Sequence, residues 1–218
     1  MKDQFKEIGK MLYAESLIHG SAGNISIRQG DKIYITKTKA ILSKLEEDGV
    51  IECGMEPGDN DKEASVELPV HRAIYKSCKA LAIVHAHPVY AISLSMSEEK
   101  ILPQDAEGKF YMKSIPVVRA RDSIGSEEVI KYLSPVFAAG YVAAMIRGHG
   151  SFAIGQDIEE CYRLTSTLEN TCKIIVISRM LAHPQPGINQ GQSQKPREIR
   201  RAIPPGIGVM DRSRYHKR

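Results

Sequence analysis

Two histidines separated by one residue, His85 and His87, stand at the end of an apolar run within LAIVHAHPVYAISLSM (81–96). If that run is a β-strand, residues i and i+2 point to the same face, so both imidazoles project together. Two imidazoles on one strand can bind one metal ion, and a third neutral ligand would complete an open, catalytic type of zinc site. The spacing therefore predicts a metal site at this strand end.

A third histidine, His149, follows another apolar run and lies between the glycines of RGHG (147–150). Glycine lets other groups approach the backbone closely, which suits a crowded site. Any one of these histidines alone is more typical of a surface or core histidine, but the three together favour a metal site. His71 lies four residues after Glu67 on one face of a predicted helix, so either of these side chains could also reach a metal.

The length and the composition of the chain indicate one folded domain. The 218 residues include 42 % hydrophobic residues, enough for a compact core. No run of about 18 apolar residues is present and the N-terminus lacks the apolar segment of a signal peptide, so we expect neither a membrane span nor secretion. The four cysteines form no C-x-x-C pair, which favours free thiols in the cytoplasm over a disulfide framework.

The positive charge is concentrated at the C-terminus. Residues 183–218 contain eight Lys or Arg against two acidic residues, a net +6, so the remaining residues carry −2 of the total +4. The same segment holds five of the eleven prolines. We therefore predict a domain over 1–182 and a basic C-terminal tail over 183–218, flexible or draped over the active site. The domain has no basic stripe with interleaved aromatics, so no nucleic-acid partner is expected.

The periodicity predicts alternating helices and short strands. This alternation indicates an α/β layered domain with antiparallel hairpins and helix crossovers. The predicted helices are 3–18, 65–76, 88–96, 126–137 and 158–181, and the predicted strands are a hairpin within 23–36, then 49–53, 81–87, 114–120, 141–150 and 151–155.

Five segments also occur in a specific order: SAGNISIR (21–28), ITKTKA (35–40), ASVELPVHRAIY (64–75), VHAHP (84–88) and RGHGSFAIGQDIEECYRLTSTLE (147–169). Together they resemble the class II aldolase/adducin head family, in particular its L-fuculose-1-phosphate aldolase type. The resemblance runs from about Phe5 to Leu181. It implies a single layered α/β domain whose central, mainly antiparallel β-sheet is flanked by helices. It also implies a homotetramer with active sites at subunit interfaces.

The resemblance assigns a role to each motif. It implies that His85, His87 and His149 bind one Zn²⁺ per subunit, although another divalent metal is possible. Glu67 becomes the catalytic acid/base, able to take the fourth zinc position in the resting enzyme. The implied phosphate-binding residues are Asn24, Thr38, Lys39 and Ser65.

The implied reaction is cleavage or formation of the C3–C4 bond of a ketose 1-phosphate. Cleavage yields dihydroxyacetone phosphate and an aldehyde through an enediolate. Zinc held by three neutral histidines keeps its positive charge and stabilises that enediolate as a Lewis acid. A carboxylate near the metal can move the C3 proton, provided its pKa is tuned.

Three departures from the family pattern affect this prediction. Lys39 replaces the usual glycine of the phosphate loop, and Val66 replaces a residue that often bears a hydroxyl. The segment SIPVVRARDSIGSEE (114–128) lacks the tyrosine that often protonates the aldehyde oxygen. Arg119 is then a candidate for binding a more anionic substrate. Tyr215 is a candidate proton donor, although its position slightly favours a solvated residue in a basic tail.

Two other functions remain open at this point. A pentulose-phosphate 4-epimerase or a methylthioribulose-phosphate dehydratase would use the same fold. The dehydratases share the R-G-H-G and H-x-H patterns, whereas the epimerases use a different acid/base pair that has no assigned position in this sequence. A non-catalytic, adducin-like scaffold is less favoured because all three histidines and Glu67 are present. Product analysis would separate cleavage from dehydration.

Overall fold

An eight-stranded sheet runs through the centre of residues 1–182, the part of the chain that the computed structural model describes. Its strands lie in the order β3-β2-β1-β4-β8-β7-β6-β5, and every neighbouring pair is antiparallel except β6 and β7. The strands are β1 (Asn24–Gln29), β2 (Lys32–Thr36), β3 (Val50–Gly54), β4 (Ala82–Ala86), β5 (Lys100–Ile101), β6 (Ile115–Val118), β7 (Ala143–Ile146) and β8 (Gly150–Gly155). The prediction of a layered α/β domain with a mainly antiparallel sheet is confirmed.

Helices cover both faces of the sheet. They are α1 (Lys2–Ala14), α2 (Leu68–Ser77), α3 (Val89–Ser95), α4 (Ala106–Tyr111), α5 (Glu127–Ala138) and α6 (Ile158–Ala182). One buried apolar cluster includes residues of α1, α3 and α6, and a second includes residues of α2 and α5. None of the helices in residues 1–182 is both long and apolar enough to cross a membrane.

The central strand β4 contributes side chains to both clusters. Val84 belongs to the cluster with α6, whereas Ile83 belongs to the cluster with α2 and α5. His85 alternates with Val84 and therefore lies on the α2 side of the sheet. Its register neighbours are Asn24 in β1 and Phe152 in β8. The antiparallel pairing thus sets three segments distant in sequence beside one another.

The structure corrects several predicted boundaries. Helix α2 begins at Leu68 rather than Ser65, with Pro69 in its first turn, where a missing N–H costs nothing. The predicted strand 141–150 ends at Ile146, and a turn precedes β8. The segment 98–112, for which no element is predicted, contains β5 and α4, and Asp105 caps α4 by accepting from Gly108 N at 2.8 Å.

All four cysteines are free thiols, as predicted.

Candidate metal centre and surrounding cavity

Three imidazoles meet at the C-terminal end of β4. The ligand atoms of His85, His87 and His149 all lie within 4.8 Å of one another. The His85 and His87 Nε2 atoms are 3.0 Å apart, close to the spacing of two nitrogens that each lie about 2.0 Å from one zinc ion. The same-face prediction for His85 and His87 therefore agrees with the structure.

The tight turn between β7 and β8 brings His149 to the pair. The turn is closed by the His149 N–H, which donates to Ile146 O at 3.0 Å. The next residue, Gly150, has no room for a side chain. A Cβ there would lie 2.5 Å from Ala86 O and 2.8 Å from His85 Cε1. The second glycine of RGHG therefore permits the close approach that the three imidazoles require.

Contacts behind the imidazoles set their orientation. His85 Nδ1 lies 3.0 Å from Ser151 O, to which it can donate, and this leaves Nε2 free to face the other rings. Phe152 stacks on the His85 ring with a centroid distance of 4.3 Å. The Nδ1 atom of His149 is buried without a hydrogen-bond partner among the described residues, which a bound ligand would satisfy.

Burial favours the neutral form of all three imidazoles. Desolvation, with a smaller contribution from neighbouring histidines, lowers the pKa of His85 well below its ordinary value and the pKa of His87 to about 4. Burial also lowers the pKa of His149, against an opposing contact with the main chain of Ser123. Neutral imidazole is the form that binds a metal ion. The three residues therefore fit the predicted zinc ion in both arrangement and protonation.

Glu67 is buried at the N-terminal end of α2 with 2 % of its surface exposed. Its Oε2 accepts from Gly125 N at 3.2 Å, and its Oε1 has no partner among the described residues. Burial raises the pKa of Glu67 to about 7, with a smaller raising effect from Asp122 and a lowering effect from the Gly125 N–H. The carboxylate does not belong to the group of ligand atoms within 4.8 Å of each other.

A cavity of about 290 Å³ joins these groups. Its wall includes the three histidines, Glu67 and the four residues predicted to bind phosphate, which are Asn24, Thr38, Lys39 and Ser65. Part of this wall comes from the segments 37–39 and 65–67. Hydrogen bonds join the two segments, since Thr38 N donates to Glu63 O at 2.9 Å and Ser65 N donates to Thr36 O at 3.0 Å. Lys39 has a φ of +60°, a left-handed conformation unusual for a residue with a Cβ.

Two predicted site residues are not brought to this cavity. Arg119 follows β6, is exposed, and pairs with Glu99 rather than lining the cavity. The structure gives it no contact from which to bind a substrate there, because it lies beyond the end of its strand on the outer surface. Tyr215 lies outside the described residues.

His71 does not reach the metal cluster either. Its Nδ1 hydrogen-bonds to Ser26 Oγ at 2.7 Å, and its ring meets the edge of Phe152. Complete burial lowers its pKa to about 3. It lies behind the site as a neutral core residue, which resolves the alternative that sequence spacing left open.

Sequence reasoning missed two contributors to the site. Ile124 lines the cavity from the segment 119–126, where the sequence shows no pattern beyond the absence of a tyrosine. His19 is exposed, and its ring centroid lies 6.0 Å from that of His87. Its position just before the SAGN motif (21–24) was the available signal, but the predicted helix 3–18 assigns His19 to a helix terminus. In the structure α1 ends at Ala14, so this assignment is wrong.

Comparison with known proteins agrees with this arrangement. The family model of the Class II Aldolase and Adducin N-terminal domain matches residues 3–176. The chain belongs to this family. An L-fuculose phosphate aldolase from Methanocaldococcus jannaschii is 29 % identical over 181 residues, covering 83 % of this chain and 98 % of that protein. The crystal structure of L-fuculose-1-phosphate aldolase from Thermus thermophilus superposes with a TM-score of 0.80 at 33 % identity, covering 84 % and 96 % of the two chains.

This class II aldolase-family chain also has relatives with other activities. A methylthioribulose-1-phosphate dehydratase from Acidiphilium cryptum is 28 % identical over 179 residues, covering 74 % of this chain and 83 % of that protein. A 3-oxo-tetronate 4-phosphate decarboxylase from Haemophilus influenzae is 30 % identical over 188 residues, covering 79 % of this chain and 85 % of that protein. The prediction of a metal-dependent lyase of the class II aldolase type is confirmed, whereas its substrate is a separate question.

Proposed function

We propose that this protein is a zinc-dependent aldolase that cleaves and forms the C3–C4 bond of a ketose 1-phosphate of the fuculose-1-phosphate type. One observation supports this most directly: a cavity in which three neutral, converging imidazoles lie beside a buried carboxyl group whose pKa is about 7. The resemblance to fuculose-phosphate aldolases over most of the chain supports the same substrate class.

His85, His87 and His149 would hold the metal ion. When bound there, zinc supplies Lewis-acid stabilisation of the negative charge that C3–C4 cleavage leaves on the ketone fragment. Glu67 moves the proton at C3: it delivers the proton to C3 after cleavage and removes it in the synthetic direction. A carboxyl group with a pKa near 7 can act in both directions at neutral pH.

The polar wall of the cavity positions the substrate. We assign the phosphate to the hydroxyls of Thr38 and Ser65, the amide of Asn24 and the ammonium of Lys39, all of which line the cavity. Fixing a phosphate that does not react uses its binding energy to orient the reacting carbons. Asn24 Oδ1 is buried without a partner among the described residues, so it can accept from a substrate hydroxyl.

The donor of a proton to the aldehyde oxygen is not an obvious phenol, since no tyrosine is among the described residues that line the cavity. Tyr215 remains our candidate for that role. Arg119 would contribute only if the loop that bears it turned toward the cavity.

The direct test measures bound metal and retro-aldol cleavage of L-fuculose 1-phosphate, with dihydroxyacetone phosphate as the detected product. We expect His85→Ala to lose the metal. We expect Glu67→Gln to keep the metal and lose at least about 100-fold in turnover, because it cannot transfer the C3 proton. Glu107→Gln, which changes an exposed carboxylate of α4, is the matched control and should behave as wild type. Normal cleavage by Glu67→Gln would show that the assigned base is wrong.

A methylthioribulose-phosphate dehydratase is the second candidate. Its reaction also removes a proton next to a carbonyl, so the same carboxyl and metal could serve it. Two observations support testing for dehydration as well: no tyrosine is among the described residues that line the cavity, and one of the relatives is a dehydratase. A diketone product without dihydroxyacetone phosphate would establish dehydration and reject the aldolase.

We further propose a cytoplasmic homotetramer with the cavity at a subunit interface. Four free thiols and the family resemblance support this assembly and location. Light scattering of the purified full-length protein would give its mass directly, and a monomer would contradict the proposal.

A further inference from the structure

The loop of residues 119–126, between β6 and α5, contributes Ile124 to the cavity wall. Gly125 in this loop has a φ of +59° and lies directly against the main chain of Val66, where a Cβ would come within 2.4 Å of the carbonyl oxygen. Its N–H is the only hydrogen-bond donor to the Glu67 carboxylate among the described residues. The position of the 119–126 loop therefore sets the orientation of Glu67.

A side chain of α5 holds this loop from behind. Glu128 Oε2 accepts from Arg121 N at 2.7 Å and from Asp122 N at 3.4 Å. Ser126 closes the same turn, since its Oγ donates to Asp122 O at 2.5 Å and accepts from Val129 N at 3.1 Å. Carboxylates near a helix N-terminus are also favoured by the helix dipole. The adjacent Glu127 is exposed, and its side chain makes no hydrogen bond within residues 1–182.

We propose that Glu128 is a positioning residue for the reaction assigned above: it fixes the 119–126 loop so that the Gly125 N–H stays on the Glu67 carboxylate. This inference rests on the proposed function of Glu67. Glu128 itself lines no part of the cavity. Without its carboxylate, the N–H groups of Arg121 and Asp122 lose their acceptor and turn toward water, and the loop moves with them.

The test compares Glu128→Ala, Glu128→Gln and Glu127→Ala in the full-length, metal-loaded protein. We expect Glu128→Ala to lower kcat for ketose 1-phosphate cleavage by about 10- to 100-fold, the usual effect of removing a residue that orients a reacting group. KM should change by less than about threefold, because the phosphate-binding side chains lie on other segments of the chain. Metal content should not change. Glu128→Gln, which keeps an acceptor oxygen, should recover most of kcat, and Glu127→Ala should match wild type.

Amide hydrogen exchange provides a second measurement that does not depend on activity. Glu128→Ala should accelerate exchange at residues 121–125 and leave β4 as protected as in wild type, while Glu128→Gln restores protection. An unchanged kcat in an active enzyme, or unchanged exchange of this loop, would overturn the proposal. Loss of metal or of β4 protection would also overturn it, because the role would then be general stability. A wild-type protein that does not cleave ketose phosphates rejects the proposed function, and the exchange measurement alone then decides whether Glu128 holds the loop.

Discussion

At the scale of single residues, the buried carboxyl group of Glu67 couples protonation to stability. Its pKa is raised from 4.5 to about 7, so the folded chain keeps a proton that the unfolded chain releases. Between these two values the folded state binds more protons than the unfolded state. The contribution of Glu67 to the free energy of unfolding is therefore complete below pH 4.5 and is lost as the pH rises through 7.

Glu67→Gln should remove this pH dependence. We expect the stability of the metal-free variant, relative to wild type, to increase by roughly 2 kcal/mol between about pH 5 and pH 8. Urea unfolding of both proteins with a chelator present measures the difference. The site histidines have lowered pKa values, so their contribution to stability increases as the pH rises. This contribution is the same in both proteins. A difference that is the same at both pH values would contradict the raised pKa.

Lys39 combines an unfavourable backbone conformation with a charge at the cavity wall. Its φ of +60° costs about 1 kcal/mol for a residue with a Cβ, which glycine would avoid. We expect Lys39→Gly to be more stable than Lys39→Ala by about 1 kcal/mol. Both variants should raise KM for the sugar phosphate several-fold, because both remove the ammonium group. Thermal unfolding and steady-state kinetics measure the two effects separately, and an unchanged KM in both variants would exclude Lys39 from phosphate binding.

At the scale of elements, helix α3 is fixed where it follows His87 and Pro88. Its first-turn amides, Tyr90 N and Ala91 N, each donate to the carboxylate of Glu169 at 3.0 Å. Glu169 belongs to α6 and is buried, with 8 % of its surface exposed. A carboxylate from a distant helix thus holds the element that continues directly from the metal-binding strand.

Glu169→Ala should affect both stability and the metal centre. We expect a loss of about 2 to 3 kcal/mol in the free energy of unfolding, because two partly or fully buried N–H groups lose a charged acceptor. We also expect metal affinity to fall by about tenfold as the segment after His87 loosens. Urea unfolding and metal titration measure these effects. Asn170→Ala, an exposed change on the same helix, is the control, and equal behaviour of the two variants would show that this cap is unimportant.

At the scale of the whole molecule, the family model matches residues 3–176, and the buried apolar clusters that cover both faces of the sheet are formed by the described domain. We therefore expect a chain that ends at Ala182 to fold cooperatively and to bind one metal ion per chain. Metal analysis and urea unfolding of this shortened protein measure both properties. Failure to bind the metal would show that the domain boundary after residue 182 is wrong.

The same shortened chain tests the role of the basic tail. If Tyr215 protonates the aldehyde oxygen, the shortened protein and the full-length Tyr215→Phe variant should both lose about 100-fold in kcat. Normal turnover by Tyr215→Phe would remove Tyr215 from the mechanism. Normal turnover by the shortened protein would extend that conclusion to the whole tail.

The sequence by itself determined the features that depend on local periodicity. The two-residue repeat of a strand is enough to place His85 and His87 on one face, and the alternation of apolar patterns predicts the α/β layers. The glycines around His149 indicated a crowded site, and the ordered motifs of the family resemblance brought His149 and Glu67 into the same predicted site.

Only the tertiary structure decided what depends on pairing and burial between distant segments. The β4–β8 and β7–β8 pairings bring His149 to His85, burial within the fold raises the pKa of Glu67, and Arg119 is left outside the cavity. The 119–126 loop shows no periodicity, so its hydrogen bonds to Glu67 and Glu128 were invisible in the sequence. Long-range hydrogen bonds and desolvation arise from the folded arrangement as a whole, and no local pattern of residue types encodes them.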